Sequence, residues 1–310
     1  MALVYAYQGE PGAYSEMAAI RHFKAEPLWR KMTSDAHYEG LPCATFARVV
    51  SAVVDGSARV GLLPVENTLE GNIDEATDLL PELDLHVVGE VEVHVRHCLL
   101  APRGTKLDEI THVHSHPQGL RQCRTFLESH PNVHKVAEYD TAGAARSVSE
   151  QAEPGHAAIA SRLAADHYDL DILAEGIESG PDNYTRFIVV SHDDLHPTPD
   201  LSRLPPNGPG YKTSLVFSTR HEPGALYNAL GAFAANDVNL TKLESRPRRR
   251  PGRRWSYHFF ADCDGHAAEP DVAAALGQLV GKLSFLKVLG SYPRAVDTEA
   301  EEAEAEMEPQ

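Results

Sequence analysis

The sequence lacks the features that mark disulfide-built, metal-binding or membrane-spanning proteins. It holds only 4 cysteines, at positions 43, 98, 123 and 263, and their wide separation fits neither a disulfide framework nor a zinc site. No window approaches the roughly 18 apolar residues that a membrane span needs. Nothing resembles a secretory signal, because the first apolar run, Leu3–Tyr7, is short and leads into a glycine-rich turn. We therefore expect a cytoplasmic protein with reduced thiols and no membrane partner.

Positive charge is also scarce. The formal net charge is −17, which argues against nucleic acid as the main partner. Seven of the acidic residues lie between positions 297 and 308, and we expect residues 293–310 to form a disordered acidic tail. The 310 residues, with 42% hydrophobic and 24% charged side chains, suffice for two or more globular domains with real cores.

The pattern of apolar residues predicts an α/β fold. Over residues 1–191, short apolar runs alternate with amphipathic segments, such as the segment that follows the candidate N-cap Thr45. Prolines concentrate in residues 192–211 and predict a semi-rigid linker. Residues 212–292 predict the element order β-α-β-β-α-β, which is the ferredoxin-like plan.

Several polar groups follow predicted strands, where ligands bind in open α/β sheets. They are Glu66 with Asn67, Ser115 with Gln118, and the segment Asn183–Phe187. Side chains alternate along a strand, so Asn183, Thr185 and Phe187 would share one face, with Arg186 on the other. An ordinary strand start with surface polar residues is the alternative interpretation.

Five segments carry a resemblance to a known family. They are Tyr7–Ser15 (YQGEPGAYS), Pro64–Gly71 (PVENTLEG), Ser115–Gln118 (SHPQ), Asp140–Ala145 (DTAGAA) and Asn183–Phe187 (NYTRF). In their order and spacing, they resemble the prephenate dehydratase and arogenate dehydratase family over about residues 3–190. Residues 212–292 resemble an ACT domain, the regulatory domain that accompanies this family.

The resemblance implies a catalytic unit of two lobes with the site in the cleft between them, built like type II periplasmic solute-binding proteins. It also implies a cofactor-free and metal-free lyase of L-phenylalanine biosynthesis that converts prephenate into phenylpyruvate, water and carbon dioxide. The signature of the family falls on Thr185-Arg186-Phe187.

The chemistry suggests a role for each candidate residue. Thr185 would donate a hydrogen bond to the leaving hydroxyl, because a threonine hydroxyl is too weak an acid for efficient proton transfer. Arg186 would bind a carboxylate, and Phe187 would pack on the substrate ring. The remaining candidates would position the substrate: Asn67, Ser115, Gln118 and Asn183. Glu66 is expected to orient the residues that bind the substrate, and a solvated loop acid and the proton source are its alternative roles.

Three positions depart from the common family pattern and leave the substrate open. Ala13 stands where many relatives carry Thr or Ser, Thr68 replaces a common Ser, and Gly119 replaces a common Ala. The Ala13 form of the loop is reminiscent of arogenate dehydratases, so arogenate is the alternative substrate. A two-lobed solute-binding protein and a regulator without catalysis are the non-enzyme alternatives.

Two C-terminal segments, Glu222–Leu226 and Asn239–Pro247, resemble the ligand segments of the ACT domains in this family. The resemblance implies an L-phenylalanine site at the interface of a homodimer or homotetramer, and feedback inhibition through it. A purely dimerising domain is the alternative. The candidate effector-binding residues are Gly224, Ala225, Leu226, Asn239, Leu240, Glu244 and Ser245.

Two further patterns are weaker. His112, His114 and His116 recur at every second position, as a metal-binding strand would require, but no carboxylate or thiol completes a site. Arginines crowd residues 246–254, and we interpret them as a solvated loop because aromatic residues do not alternate with them. The sequence therefore predicts neither a metal nor nucleic acid as a ligand.

Overall fold

The computed structural model describes residues 2–25, 37–195, 210–248 and 255–295. Most of the predicted linker, nearly all of the predicted acidic tail, and Arg249, Arg250, Arg253 and Arg254 of the arginine-rich loop lie outside these residues. Within the described ranges, no helix is long and apolar enough to cross a membrane.

The chain divides into two compact units. The first consists of Met1–Ala76 and Glu92–Phe187, and the second of Thr77–Val91 and Ile188–Gln310. The chain thus enters the second unit at Ile188, and residues 77–91 belong with the same unit.

The fold is mixed α/β. The described strands are β1 (Leu3–Gln8), β2 (Tyr38–Cys43), β3 (Val60–Asn67), β4 (Gly71–Asn72), β5 (His86–His94), β6 (Cys98–Pro102), β7 (His112–Ser115), β8 (His134–Ala137), β9 (His156–Ala160), β10 (Leu170–Glu175), β11 (Tyr184–Ser191), β12 (Tyr211–Thr219), β13 (Leu240–Pro247), β14 (Tyr257–Asp264) and β15 (Leu283–Pro293). The described helices are α1 (Tyr14–Ala25), α2 (Phe46–Val54), α3 (Asp74–Thr77), α4 (Pro117–Gln122), α5 (Arg124–Glu128), α6 (Thr141–Gln151), α7 (Arg162–Tyr168), α8 (Ala225–Ala234) and α9 (Pro270–Val280).

Two sheets supply the strands around the first unit. One has the order β2-β1-β3-β11-β5, with β4 paired to β3, and the other has the order β10-β6-β9-β7-β8. β1 runs parallel to β2 and β3, and β7 runs parallel to β8 and β9. The carboxyl ends of these parallel strands therefore gather at one edge of each sheet, where α/β proteins bind ligands.

Side-chain caps fix where three helices of the first unit begin. The Thr45 hydroxyl accepts the backbone N–H of Arg48 at the start of α2, as the sequence predicts. Asp140 caps α6 and Ser161 caps α7 in the same way. These three residues end the preceding loops and set the direction in which each helix leaves its sheet.

The main correction to the predicted elements concerns β3. Glu66 and Asn67 were expected to follow this strand, whereas the strand continues to Asn67. Its end pairs with the short strand β4, with Glu66 opposite Asn72 and Asn67 opposite Gly71. This hairpin extends the strand, so Glu66 and Asn67 belong to its last residues and not to a loop.

Four of the described strands have no counterpart among the predicted elements, namely β2, β4, β8 and β10. β8 is a short edge strand with mostly exposed residues, so it shows no apolar alternation.

The second unit contains the predicted β-α-β-β-α-β order. β12, α8, β13, β14, α9 and β15 follow one another, and the sheet order is β13-β14-β12-β15 with antiparallel pairs. Both helices pack on this sheet, and Phe217, Phe233 and Leu279 are almost wholly buried in the shared core.

Residues 77–91 contact the sheet of the second unit. The Lys212 ammonium lies 2.7 and 2.8 Å from the two carboxylate oxygens of Glu90. Only 12% and 2% of these side chains are exposed. A Cβ at position 290 would lie 2.0 Å from the Val87 carbonyl oxygen, so Gly290 permits the close approach of the two backbones.

Replacing Lys212 by methionine would remove the ammonium group that lies beside both oxygens of the buried Glu90 carboxylate. We expect the free energy of unfolding to fall by about 3–5 kcal/mol, because a buried charge without its partner is poorly solvated. The double variant Lys212→Met with Glu90→Leu should recover most of the loss, and the exposed Lys135→Met should change little. Urea denaturation measures all three; a single variant as stable as the wild type would contradict this prediction.

Candidate functional site

The first unit contains a cavity of about 510 Å³, a size common for small-molecule sites. It lies at the carboxyl ends of β1, β2, β3, β7 and β8, as the sequence predicts for a ligand site in an α/β fold. Its lining comprises Gln8, Ala13, Tyr14, Ser15, Ala44, Thr45, Phe46, Pro64, Asn67, Ile73, Glu75, Val95, His97, His116, Gln118, Gly119, Gln122, Tyr139, Asp140, Thr141 and Thr185.

Three helices of nine residues or more begin at this cavity. Tyr14 opens α1, Phe46 opens α2 and Thr141 opens α6, and all three residues line the cavity. The first backbone N–H groups of a helix have no partner within the helix, and they carry partial positive charge. The cavity is therefore suited to anions such as carboxylates.

The loop before α1 is held in place by contacts from α7 and its cap. Gly12 has a φ of 90°, and a Cβ there would lie 2.6 Å from the Cα of Ala164. The Gly12 N–H donates to the Glu16 carboxylate, and its carbonyl accepts from the Ser161 hydroxyl, at 2.6 Å in both cases. Only glycine fits here, and the contacts fix Ala13 and Tyr14 at the cavity wall.

Asn67, at the end of β3, organises the opposite wall. Its Oδ1 accepts the backbone N–H groups of Leu69 and Glu70, both at 3.0 Å. Its Nδ2 lies 2.9 Å from Asn183 Oδ1, 3.1 Å from the Tyr184 carbonyl and 2.9 Å from Thr185 Oγ1. The Thr185 oxygen therefore accepts from the amide, and the proton of its hydroxyl can be donated to another group.

The predicted alternation of side chains in the signature segment is confirmed. Asn183, Thr185 and Phe187 are buried, and Arg186 between them points the other way. Thr185 lines the cavity, whereas Asn183 contacts it through Asn67, and Phe187 lies in the core. Arg186 lies 3.8 Å from the Glu66 carboxylate, and neither residue lines the cavity.

The segment around β7 places its candidate residues differently. Gln118 lines the cavity. The buried Ser115 hydroxyl instead donates to the Ile159 carbonyl at 2.7 Å, and a Cβ at position 119 would lie 2.7 Å from its oxygen. Gly119 thus leaves room for the Ser115 hydroxyl, which supports the wall and does not line it.

Sequence reasoning missed a hydrogen-bonded group in the cavity wall. His97 Nδ1 lies 3.0 Å from the Tyr14 hydroxyl, and His97 Nε2 lies 2.8 Å from Gln122 Oε1. Burial lowers the pKa of His97 and raises the pKa of Tyr14 well above its usual range. Of these three residues, only Tyr14 could have been identified from a motif, because it belongs to the glycine-rich segment. Nothing in the sequence marks His97 or Gln122.

Among the residues that the structure describes, no lysine or arginine lines the cavity, and the charged side chains of the lining are Glu75 and Asp140. The Asp140 carboxylate accepts the Gly143 N–H at 2.9 Å as the cap of α6. Apart from these two carboxylates, the polar part of the lining consists of neutral side chains and helix N-termini.

The histidine pattern does not converge on a metal. Within the described ranges, no group of three or more His, Cys, Asp or Glu side chains could hold a metal ion. His116 lines the cavity, while His114 Nε2 lies 3.0 Å from His156 Nδ1, away from the cavity lining.

The candidate effector-binding residues lie on two parts of the second unit. Gly224 has a φ of 78° and precedes α8, with Ala225 and Leu226 in its first turn. Leu240 begins the edge strand β13, and Asn239 directly precedes it. Further along β13, the Glu244 carboxylate lies within 4.0 Å of the Lys242 and Arg246 side chains.

Glu244 and Ser245 point to opposite faces of β13. Leu243 pairs with Ala261 of the helix-packed core, so the neighbouring Glu244 points to the sheet face without helices, and Ser245 to the helix side. Within one chain, Glu244 is therefore on the opposite face from Gly224.

Comparisons with known proteins agree with this architecture. The prephenate dehydratase family model matches residues 5–195. The bifunctional chorismate mutase/prephenate dehydratase of Stutzerimonas stutzeri is 39% identical over 292 residues, which cover 94% of this chain and 73% of that protein. The chloroplastic arogenate dehydratase/prephenate dehydratase 2 of Arabidopsis thaliana is 40% identical over 300 residues, with coverages of 94% and 73%.

A solved structure agrees as well. The prephenate dehydratase of Arthrobacter aurescens in complex with L-Phe has a TM-score of 0.78 and 31% identity, and the match covers 98% of this chain and 97% of that one. The family match, the identities and this likeness together show that the chain belongs to the prephenate dehydratase family.

Proposed function

We propose that this chain converts prephenate into phenylpyruvate, carbon dioxide and water. The observation that carries the proposal is the position of the Thr185 hydroxyl. The Asn67 amide donates a hydrogen bond to the Thr185 oxygen. Thr185 lines a cavity at which three helices of nine residues or more begin. Prephenate has a leaving hydroxyl and two carboxylates, so it needs one positioned hydrogen-bond donor and a site for anions.

Two bonds of prephenate break in this reaction, and the electron pair of each has a defined destination. The bond to the ring carboxylate breaks and its electron pair enters the ring, while the bond to the hydroxyl breaks and hydroxide leaves. Hydroxide takes up one proton to give water. Thr185 stabilises the charge that develops on the departing oxygen by donating a hydrogen bond, since an alkyl hydroxyl is too weak an acid to protonate it fully.

The described part of the cavity lining contains no lysine or arginine, and this suits the elimination. A cation beside the ring carboxylate would stabilise the charge that has to leave it, and so would oppose loss of carbon dioxide. Helix N-termini can hold the other carboxylate, on the pyruvyl chain, without a formal charge. Gln118 supplies a further neutral donor in the wall.

The remaining candidate site residues either support the cavity wall or lie outside it. We propose that Asn67 and Asn183 orient Thr185, that Ser115 supports the turn that carries Gln118, and that Glu66 orients Arg186. Phe187 stabilises the strand from the core, which replaces the stacking role expected for it.

Arogenate is the second candidate substrate. It carries an amino group where prephenate has a keto group, and the Arabidopsis relative bears the names of both activities. Ala13 in the cavity wall is the residue of this chain that favours arogenate by its resemblance.

We further propose that L-phenylalanine inhibits the enzyme through the second unit in a homodimer or homotetramer. The Arthrobacter aurescens relative binds L-Phe, and the two segments that carry the resemblance lie at the start of α8 and along the edge strand β13. Because Glu244 faces away from Gly224 within one chain, a complete effector site requires residues from two chains.

Replacing Thr185 by valine keeps the shape of the side chain and removes its hydroxyl. We expect kcat for prephenate to fall by about 100-fold to 1,000-fold, as for loss of one donor to a developing oxyanion. Thr185→Ser should retain most of the activity, and Thr125→Val, at an exposed position, should retain all of it. Phenylpyruvate formation is the measurement, and near-normal turnover by a folded Thr185→Val protein would contradict the role.

The substrate itself is tested by following aromatic products from prephenate and from arogenate with the unmodified chain. We expect prephenate to be turned over with the higher kcat/KM. A higher kcat/KM for arogenate would establish the alternative, and no product from either would contradict the proposed function.

Glu244→Gln tests the effector site. We expect L-phenylalanine to inhibit the wild type, and the half-inhibitory concentration to rise about tenfold in the variant, as a charged hydrogen-bond partner is lost. Glu128→Gln, an exposed change in α5, is the control. If Glu244→Gln has the same half-inhibitory concentration of L-phenylalanine as the wild type and the control, Glu244 takes no part in effector binding.

A further inference from the structure

His97 joins two side chains of the cavity wall that lie far apart in sequence. Its Nδ1 faces the hydroxyl of Tyr14, and its Nε2 faces the side-chain oxygen of Gln122. All three residues line the cavity, and His97 itself is only 1% exposed.

The backbone N–H and the backbone carbonyl of His97 are both hydrogen-bonded. Its N–H donates to the Glu178 carboxylate at 2.9 Å, and its carbonyl accepts the N–H groups of Gly176 and Ile177. The Ser179 N–H donates to the Gln122 carbonyl at 2.7 Å. The loop 176–179 therefore holds both His97 and Gln122, so the imidazole has little freedom to shift.

The hydrogen-bond partners determine where the protons lie. An amide oxygen only accepts, so Nε2 of His97 carries the proton that Gln122 Oε1 receives. Burial keeps the imidazole neutral, so Nδ1 has no proton and accepts from Tyr14. The Tyr14 hydroxyl has a single proton and also lies 2.9 Å from the Arg96 carbonyl, so this proton is shared between His97 Nδ1 and that carbonyl, both inside the protein, and does not point into the cavity.

The amide nitrogen of Gln122 is the group that this arrangement leaves for a ligand. Its oxygen is held by His97, and no described residue accepts a hydrogen bond from its nitrogen. Since Gln122 lines the cavity, the two N–H protons can meet an anionic oxygen there.

We propose that His97 is a positioning residue that presents the Gln122 amide nitrogen to the pyruvyl carboxylate of the substrate. The inference rests on the proposed function. The pyruvyl carboxylate is the partner because it stays on the molecule throughout the reaction, whereas tight binding of the ring carboxylate would oppose its loss.

Two substitutions of His97 separate positioning from a merely structural role. The amide of His97→Gln can place an N–H near the position of Nε2 and keep Gln122 oriented, whereas the shorter His97→Asn side chain reaches only the Tyr14 side. We expect His97→Asn to raise KM for prephenate about tenfold, the effect of one lost hydrogen bond to a charge, with a smaller change in kcat. His97→Gln should stay within about threefold of the wild type.

A double-mutant cycle tests whether His97 acts through Gln122. We expect Gln122→Met alone to raise KM about tenfold, and His97→Asn to add no further increase in that background. The matched control is His134→Asn, the same change at an exposed position of β8. Circular dichroism and thermal unfolding identify any variant that fails to fold.

Binding of phenylpyruvate, measured by calorimetry, tests the same contact without turnover, because this molecule retains the pyruvyl carboxylate. We expect its Kd to follow the changes in KM. The proposal is overturned if His97→Asn matches His134→Asn in KM and Kd, if the effects of His97→Asn and Gln122→Met add fully, or if the wild type does not bind phenylpyruvate. Turnover of prephenate by the wild type is a separate result, so failure of the proposed function is seen independently.

Discussion

The cavity depends on the hydrogen bonds of one buried amide, that of Asn67. Two backbone N–H groups, from Leu69 and Glu70, bind its oxygen, so the amide cannot turn over without leaving both unpaired. The nitrogen must then face β11, where it meets the side chains of Asn183 and Thr185. The same side chain therefore closes the hairpin after β3 and sets the direction of the Thr185 hydroxyl.

A second constraint is that the cavity wall presents helix N-termini and neutral polar side chains to a dianionic substrate, which would usually be bound by cationic side chains. Helix N-termini and neutral side chains attract carboxylates, but each is weaker than a guanidinium beside the same group. Nearby arginines are paired with carboxylates outside the lining: Arg121 with Glu70, and Arg146 with Glu10. In the proposed function, this arrangement would bind an anion and still allow one of its carboxylates to depart.

Local patterns predicted most of the elements around the site, with β2 and β8 as exceptions, but not the contacts between distant segments. Thr45 was recognised as a helix cap because capping is decided within four residues. The contact of His97 with Gln122 joins residues 25 apart through the loop 176–179, and no periodicity encodes such a meeting. Phe187 shows a related limit, since alternation gave its face correctly while only the start of β11 reaches the cavity.

The protonation states of the wall agree with the modest demand of the reaction. Forming an aromatic ring makes the elimination strongly downhill, so the protein needs to position groups more than to supply a strong acid. Burial moves the pKa of His97 down and that of Tyr14 up, which keeps both groups neutral at ordinary pH. Fixed neutral groups give hydrogen bonds of constant direction, and Thr185 is suited to a wall of this kind because its hydroxyl stays protonated as well.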